Sequence, residues 1–187
     1  MKHCNIFLVI LLCLNMVAFG QNEEQKSKSN QFSFGMKLVN VQDDFGMGLD
    51  FTSPYFVYNS LAVRLNTLIQ FHDHFDPTLK EDTWSPYFVS RLGLVGVGGR
   101  PAPFLRLYGE GGAVVGVPSS NISNEGVFMG GYGLFGFEMF MSANEGEVAS
   151  YYIELGATGA GARGDLLLNN PIYYNGFSIG TGFRFYL

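Results

Sequence analysis

The chain contains short segments in which apolar and polar residues alternate, and this period of two most limits what it can fold into. Such alternation places successive side chains on opposite faces of a β-strand, whereas a helix requires a period near 3.6. Downstream of residue 20 there is no helical period and no apolar run long enough for a membrane-spanning helix. The pattern therefore predicts an all-β fold.

The alternation divides into eight segments, and each predicts one strand. The predicted strands are 31–40, 44–52, 60–71, 85–96, 104–116, 126–142, 148–162 and 176–187. After a short first connection, longer polar connections such as HDHFDPTLKEDTW alternate with shorter ones such as GGRPAP. Outer-membrane barrels combine an even strand number with short turns at one end and long loops at the other.

The first 20 residues predict a cleaved signal peptide. The start MKH is weakly basic, residues 6–17 are apolar, and AFG precedes Gln21 as a small-x-small cleavage signal. Both cysteines, Cys4 and Cys13, lie in this leader, so the processed chain is expected to have no disulfide. Residues 21–30 form a polar segment, and residues 31–187 are assigned to the barrel.

One face of the predicted strands is apolar or glycine, and the other face carries the charges. Only 14% of the residues are charged, against about 25% in an average soluble domain. Five cations and four carboxylates lie on the second face. These positions are Lys37, Asp50, Arg64, Arg91, Arg106, Glu110, Glu138, Glu154 and Arg184.

The balance of charge indicates which face points inward. A lipocalin-like barrel has an apolar interior and a watery exterior, whereas a membrane barrel has the opposite arrangement. Balanced charge on a crowded face indicates enclosure, because unpaired charges away from water are costly. We predict an eight-stranded antiparallel up-and-down transmembrane β-barrel with a salt-bridge network filling its lumen, or alternatively a charged lining of a narrow pore. One register for the last hairpin places Arg184 opposite Glu154.

Glycines predict a second feature on the apolar face. If Gly116 lies opposite Gly126, Arg106 is diagonal to Glu138, and small residues meet across neighbouring strands. Because small residues allow close approach, we expect a shallow notch for a lipid acyl chain or a partner barrel. The alternative is that glycine only permits the curvature of a narrow barrel. The notch residues are Gly109, Gly111, Gly131, Gly133, Ala157, Gly159 and Gly161.

The signal peptide, the eight alternating segments and the terminal stretch GFSIGTGFRFYL resemble the small OmpA/OmpX-type outer-membrane β-barrel proteins of Gram-negative bacteria. Phe183, Phe185 and Leu187 resemble the alternating signal read by the barrel-insertion machinery, although that family usually ends in an aromatic residue. The resemblance implies an outer-membrane location. It does not fix an activity, because members serve as structural proteins, adhesins, receptors and a few lipid-modifying enzymes.

His72 and His74 are the candidate metal-binding or catalytic residues. Histidines two apart on an extended segment point the same way and could share a metal ion, but a loop of mixed His and Asp is more often solvated, and we expect no metal. A lipid hydrolase needs a nucleophile beside a base, and Ser85 flanks the same loop, but no GxSxG motif occurs.

Four aromatic residues at predicted strand ends are expected to anchor the barrel at the bilayer interface. They are Trp84, Tyr87, Tyr173 and Tyr174.

The sequence predicts a non-enzymatic outer-membrane protein with a side-chain-filled lumen, which displays polar loops for envelope integrity or surface interaction. Expected partners are outer-membrane lipid, the barrel-insertion machinery during biogenesis, and a surface ligand or partner barrel. No cofactor is expected, and the net charge of -5 argues against nucleic acid. The alternatives are a lipid-modifying enzyme that uses the His72/His74 loop and a narrow channel.

Overall fold

The computed structural model describes residues 31–76, 80–141 and 148–187. The predicted signal peptide, 1–20, and the polar segment, 21–30, lie outside these residues. Within the described ranges, no helix is long and apolar enough to cross a membrane.

Eight antiparallel strands follow one another in chain order and close into a barrel. They are β1 Ser33–Val41, β2 Asp44–Thr52, β3 Leu61–Asp76, β4 Glu81–Ala102, β5 Leu105–Val117, β6 Phe128–Phe140, β7 Ala149–Arg163 and β8 Ile172–Tyr186. β1 pairs with both β2 and β8, so the first and last strands are each covered by a neighbour. The predicted eight-stranded up-and-down barrel is confirmed.

The β1–β2, β3–β4, β5–β6 and β7–β8 connections lie at one end of the barrel, here called the outer end. β3 and β4 continue past the predicted strand ends and pair as far as Asp76 and Glu81. His72 and His74 therefore lie on a strand, and the prediction that they belong to a loop is wrong. This part of the hairpin extends beyond Phe45 and Phe71, where the pairing of β2 with β3 ends. Outside the closed wall, strands are not required to alternate apolar and polar residues, so the pattern that identified the other strands does not continue here.

The register of two hairpins differs from the prediction. Gly116 pairs with Phe128 instead of Gly126, so Arg106 lies directly opposite Glu138. The difference arises because the β5–β6 connection, 118–127, is longer than expected and makes its own contacts. In the β7–β8 pair, Arg184 lies opposite Ser150 and Glu154 opposite Gly180.

The two faces of the wall have different compositions. Phenylalanine, leucine and methionine dominate the outward face; Met36, for example, is 59% exposed and Phe177 is 61% exposed. Eight of the ten tyrosines are instead buried. A buried tyrosine hydroxyl needs a hydrogen-bond partner, and the polar interior supplies one to six of these eight residues. Among the described residues, the buried Tyr55 hydroxyl has no such partner.

Glycines on the two faces serve different purposes. A Cβ added at Gly136 would lie 2.2 Å from the Tyr108 ring, and one at Gly35 would lie 2.2 Å from an Asp50 oxygen. Inward glycines thus leave room for the large polar side chains of the lumen. By contrast, the nearest atom to a Cβ at outward-facing Gly111 is 3.7 Å away, an ordinary contact distance.

Adjacent residues on β5 test this difference. A Cβ at Gly112 would lie 2.1 Å from the Leu92 carbonyl oxygen, which is backbone and cannot move aside cheaply. We expect Gly112→Ala to lower the free energy of unfolding by about 1–3 kcal/mol or to prevent folding, as overpacked interiors do. Gly111→Ala is the matched control and should fold like the wild type. Urea titration of the refolded barrels, followed by the shift of the folded band on unheated gels, measures both; equal stability of the two variants would contradict the assignment of faces.

Candidate functional site

The structure places all nine predicted network residues inside the lumen, each at most 5% exposed. A tenth buried charge, Asp44, was not included in the predicted set. Its position on β2, an even number of residues from Asp50, is the signal that could have identified it. With Asp44 included, five cations and five carboxylates among the described residues are buried in the lumen.

Glu138 is the centre of the part of the network that lies farthest from the outer end. Its Oε2 accepts hydrogen bonds from Arg106 Nε at 2.9 Å and Nη2 at 2.5 Å. Its Oε1 accepts from Arg184 Nη1 at 2.9 Å and from the Ser150 and Tyr186 hydroxyls at 2.5 Å each. Five donor atoms thus compensate the removal of this carboxylate from water.

Arg184 extends the network from Glu138 to Asp50. Its Nε donates to Asp50 Oδ1 at 3.1 Å, and the Tyr152 hydroxyl donates to Asp50 Oδ2 at 2.6 Å. The guanidinium also lies 4.4 Å from the centre of the Tyr152 ring. Charge and ring contacts therefore hold the same side chain.

Arg64 is the centre of the middle part. Its Nη1 donates to Glu110 at 2.6 Å and to Glu154 at 3.1 Å. Glu154 also pairs with Lys37 and accepts a hydrogen bond from the Tyr108 hydroxyl at 2.7 Å. These residues come from β1, β3, β5 and β7, so the network ties together opposite sides of the wall.

Arg91 is held differently. Among the described residues it makes no ion pair; its Nε donates to the Tyr174 hydroxyl at 2.6 Å and its Nη2 to Thr158 Oγ1 at 3.3 Å. The guanidinium lies 5.2 Å from the Tyr132 ring centre and 5.3 Å from that of Tyr174. Aromatic faces thus partly replace a counter-ion in the upper lumen.

Apolar and aromatic side chains close the outer end. Ile122, from the β5–β6 connection, is fully buried beside Phe128 and Tyr87. Tyr173 and Tyr174 belong to the same cluster. The interface-girdle prediction is therefore wrong for Tyr87, Tyr173 and Tyr174, which face inward; Trp84 is 52% exposed.

Asp165 ties two outer connections together. It accepts hydrogen bonds from the Ser123 hydroxyl at 2.7 Å and from the Asn124 backbone and side-chain nitrogens at 2.9 Å each. Nearby, the Leu166 N–H donates to the Ile122 carbonyl at 3.2 Å. The Ser123 and Asn124 hydrogen bonds lower the pKa of Asp165 from its ordinary value of 3.8.

A cleft of about 440 Å³ opens at the outer end, above the short β1–β2 turn. This outer cleft lies between residues 72–75 of β3, Asp43 of the turn, and Leu167, Leu168, Asn169 and Pro171 before β8. At its inner wall, His72 Nδ1 lies 2.6 Å from Asp44 Oδ1. Ser85 lies opposite His72 in the strand register, but the described residues include no hydrogen bond between them.

The notch residues lie close together in a register different from the predicted one. Gly111 pairs with Gly133, which pairs with Ala157, and Gly131 pairs with Gly159. The prediction is wrong for Gly109, which pairs with Phe135, and Gly161 adopts a φ of +63° at the irregular end of β7. A Cβ at Gly111, Gly131 or Gly133 would lie 3.6 to 4.0 Å from the nearest backbone oxygen, which is ordinary contact, so interior packing does not forbid side chains there.

The saturated Glu138 carboxylate makes a sharp stability test. Glu138→Gln removes the charge that compensates Arg106 and Arg184, and we expect a loss of about 3–5 kcal/mol in the free energy of unfolding. The matched control, Glu125→Gln, changes an exposed carboxylate and should stay within about 0.5 kcal/mol of the wild type. Denaturant unfolding in detergent measures both variants, and equal losses would contradict a network that stabilises the fold.

Asp165→Ala should release the β5–β6 connection without loosening the barrel. Because the folded-state pKa is lowered, the tie is complete above the ordinary aspartate range and is lost as pH falls through the lower folded value. Hydrogen exchange of the Asn124 amide at neutral pH should accelerate in the variant, while strand amides stay unchanged. An unchanged Asn124 rate would show that other contacts hold the loop.

No family model matches the chain, and no curated protein sequence does. The structure is similar to the N-terminal β-barrel domain of Pseudomonas aeruginosa OprF, with a TM-score of 0.53 and 12% identity over 85% of this chain and 98% of that one. It is also similar to the outer membrane protein OprG from Pseudomonas aeruginosa, with a TM-score of 0.56 and 15% identity over 88% and 99% of the two chains. The chain therefore has the fold of the small eight-stranded outer-membrane β-barrels, as the sequence resemblance implied.

Proposed function

We propose that this chain is a non-enzymatic integral outer-membrane protein, whose closed barrel supports its outer connections for envelope integrity or surface interaction. The observation that carries the proposal is the opposition of the two faces: ion pairs fill the inside, and apolar side chains cover the outside. In this proposal the partners are outer-membrane lipid and, during biogenesis, the barrel-insertion machinery.

The outward face supports the membrane location. Leu92 and Leu94 on β4 are 56% and 55% exposed, and the outward positions of the other strands are similar. A soluble monomer rarely exposes apolar patches beyond a few hundred Å². Hydrocarbon is the solvent that such a surface suits, and a closed barrel satisfies its backbone hydrogen bonds there.

The filled lumen supports a structural role over a channel. Arg64 and Arg184 are at most 1% exposed, and each bridges two carboxylates. The interior of an eight-stranded barrel is just wide enough for side chains to fill. Passage of an ion would require several of these pairs to separate at once.

The outer end supports a role in display. Asp165, Ser123 and Asn124 fix two connections against each other, and Ile122 anchors one of them in the lumen. A rigid, polar outer surface suits recognition, because less ordering entropy is lost on binding.

Planar-bilayer recording tests the proposal. We expect no steady unitary conductance from the wild-type barrel, and we expect the protein in the outer-membrane fraction of a density gradient. The double variant Arg64→Ala/Glu110→Ala removes both partners of a central ion pair and should conduct, which calibrates the sensitivity of the recording. Steady unitary currents from the wild type would favour the narrow channel. Product formation from lipid A or phospholipid in detergent would favour the enzyme.

A further inference from the structure

We infer that His72 and His74 bind a divalent transition-metal ion, of the Zn²⁺, Ni²⁺ or Cu²⁺ class, at the inner wall of the outer cleft. The inference rests on the geometry of the two imidazoles and does not depend on the proposed function. A solvated loop was the expected setting for these histidines, and their position on β3 replaces it with a defined one.

The His72 ring is fixed by a carboxylate that is itself fixed. His72 Nδ1 lies 2.6 Å from Asp44 Oδ1, and Asp44 is 2% exposed. The other oxygen of Asp44 accepts hydrogen bonds from the Tyr87 hydroxyl at 2.5 Å and from the Tyr174 backbone N–H at 3.0 Å. Because both Asp44 oxygens act as acceptors in these contacts, the neutral His72 imidazole takes the tautomer in which Nδ1 carries the proton and Nε2 carries the lone pair.

A backbone carbonyl group favours the same tautomer of the His74 ring. Its Nδ1 lies 3.3 Å from the His72 carbonyl oxygen, which can only accept a hydrogen bond. Nε2 of His74 is therefore also the unprotonated nitrogen. Metal-ligating histidines almost always donate their other ring N–H to a carboxylate or a backbone carbonyl, and here both rings do so.

The two rings are arranged as a pair beside the outer cleft. They lie on the same side of β3, with ring planes 10° apart and centroids 6.0 Å apart, and both line the cleft. Among the described residues, neither Nε2 has a hydrogen-bond partner. His72 is 7% exposed and fixed, so a shared ion requires the half-buried His74 ring to tilt toward it.

The rest of the lining suits a cation. Asp43 and Asp73 are among the lining residues, and the described lining contains no Lys or Arg. Within the described ranges, no group of three or more His, Cys, Asp or Glu side chains is arranged to hold a metal ion. The site is therefore a two-histidine site completed by water, which suits an exchangeable ion of the kind that imidazole prefers.

Copper binding to the processed chain, residues 21–187, refolded in detergent without a histidine tag, tests the inference. We expect one Cu²⁺ per chain, with two nitrogen couplings in the electron paramagnetic resonance spectrum, and a matching one-site Zn²⁺ isotherm. His72→Ala and His74→Ala should each weaken binding at least tenfold and leave one nitrogen coupling. His3 lies in the predicted signal peptide, so the processed chain contains only His72 and His74, and the double variant measures binding that does not involve histidine.

Asp44→Asn tests the positioning role of the carboxylate. It should weaken Zn²⁺ binding by about tenfold, the lower end of the usual effect of such outer partners, while the two nitrogen couplings remain. Glu81→Gln, an exposed carboxylate at the same end, should change nothing. If Asp44→Asn does not fold, Tyr87→Phe removes one donor to Asp44 and should weaken binding several-fold. Wild-type affinity in the double-histidine variant, or fewer than two couplings in the wild type, would overturn the inference.

Discussion

The structure depends on one constraint: a lumen this narrow must be filled, and the charges that fill it must compensate one another. Glu138 illustrates how strict the requirement is, because both of its oxygens are shared among donors from β5, β7 and β8. A buried ion pair stabilises only when such geometry is complete. The same contacts brace opposite walls, so electrical balance and mechanical rigidity come from the same side chains.

Tyrosine and glycine make this filling possible. Tyr108 and Tyr152 occupy volume inside the barrel and donate their hydroxyl protons to Glu154 and Asp50. Gly136 and Gly182 leave the space in which those rings lie. A large side chain with a polar tip and a neighbour without a side chain thus form complementary pairs, and this explains why the chain is rich in both.

Much of the fold could be predicted from the alternation, but less of the candidate site. Parity alone assigned residues such as Arg64 and Glu154 to the inner face, since a strand puts every second side chain on the same side. Parity carries no information on register, which is why Arg106 was expected diagonal to Glu138 and lies opposite it. The alternation of apolar and polar residues also ends where β3 extends beyond β2, so His72 was expected in a loop. The contact between His72 and Asp44 joins residues of β3 and β2 that only the fold brings together.

The hairpins extend to different heights at the outer end, so the rim of the barrel is uneven. β2 begins at Asp44, which is level with His72, whereas β3 continues four residues farther to Asp76, which is about 13 Å of additional strand. The barrel wall is therefore low at the β1–β2 turn and high at the β3–β4 hairpin. The outer cleft lies above the β1–β2 turn, between the extension of β3 and the β7–β8 connection, so its open side is the side on which the wall is low.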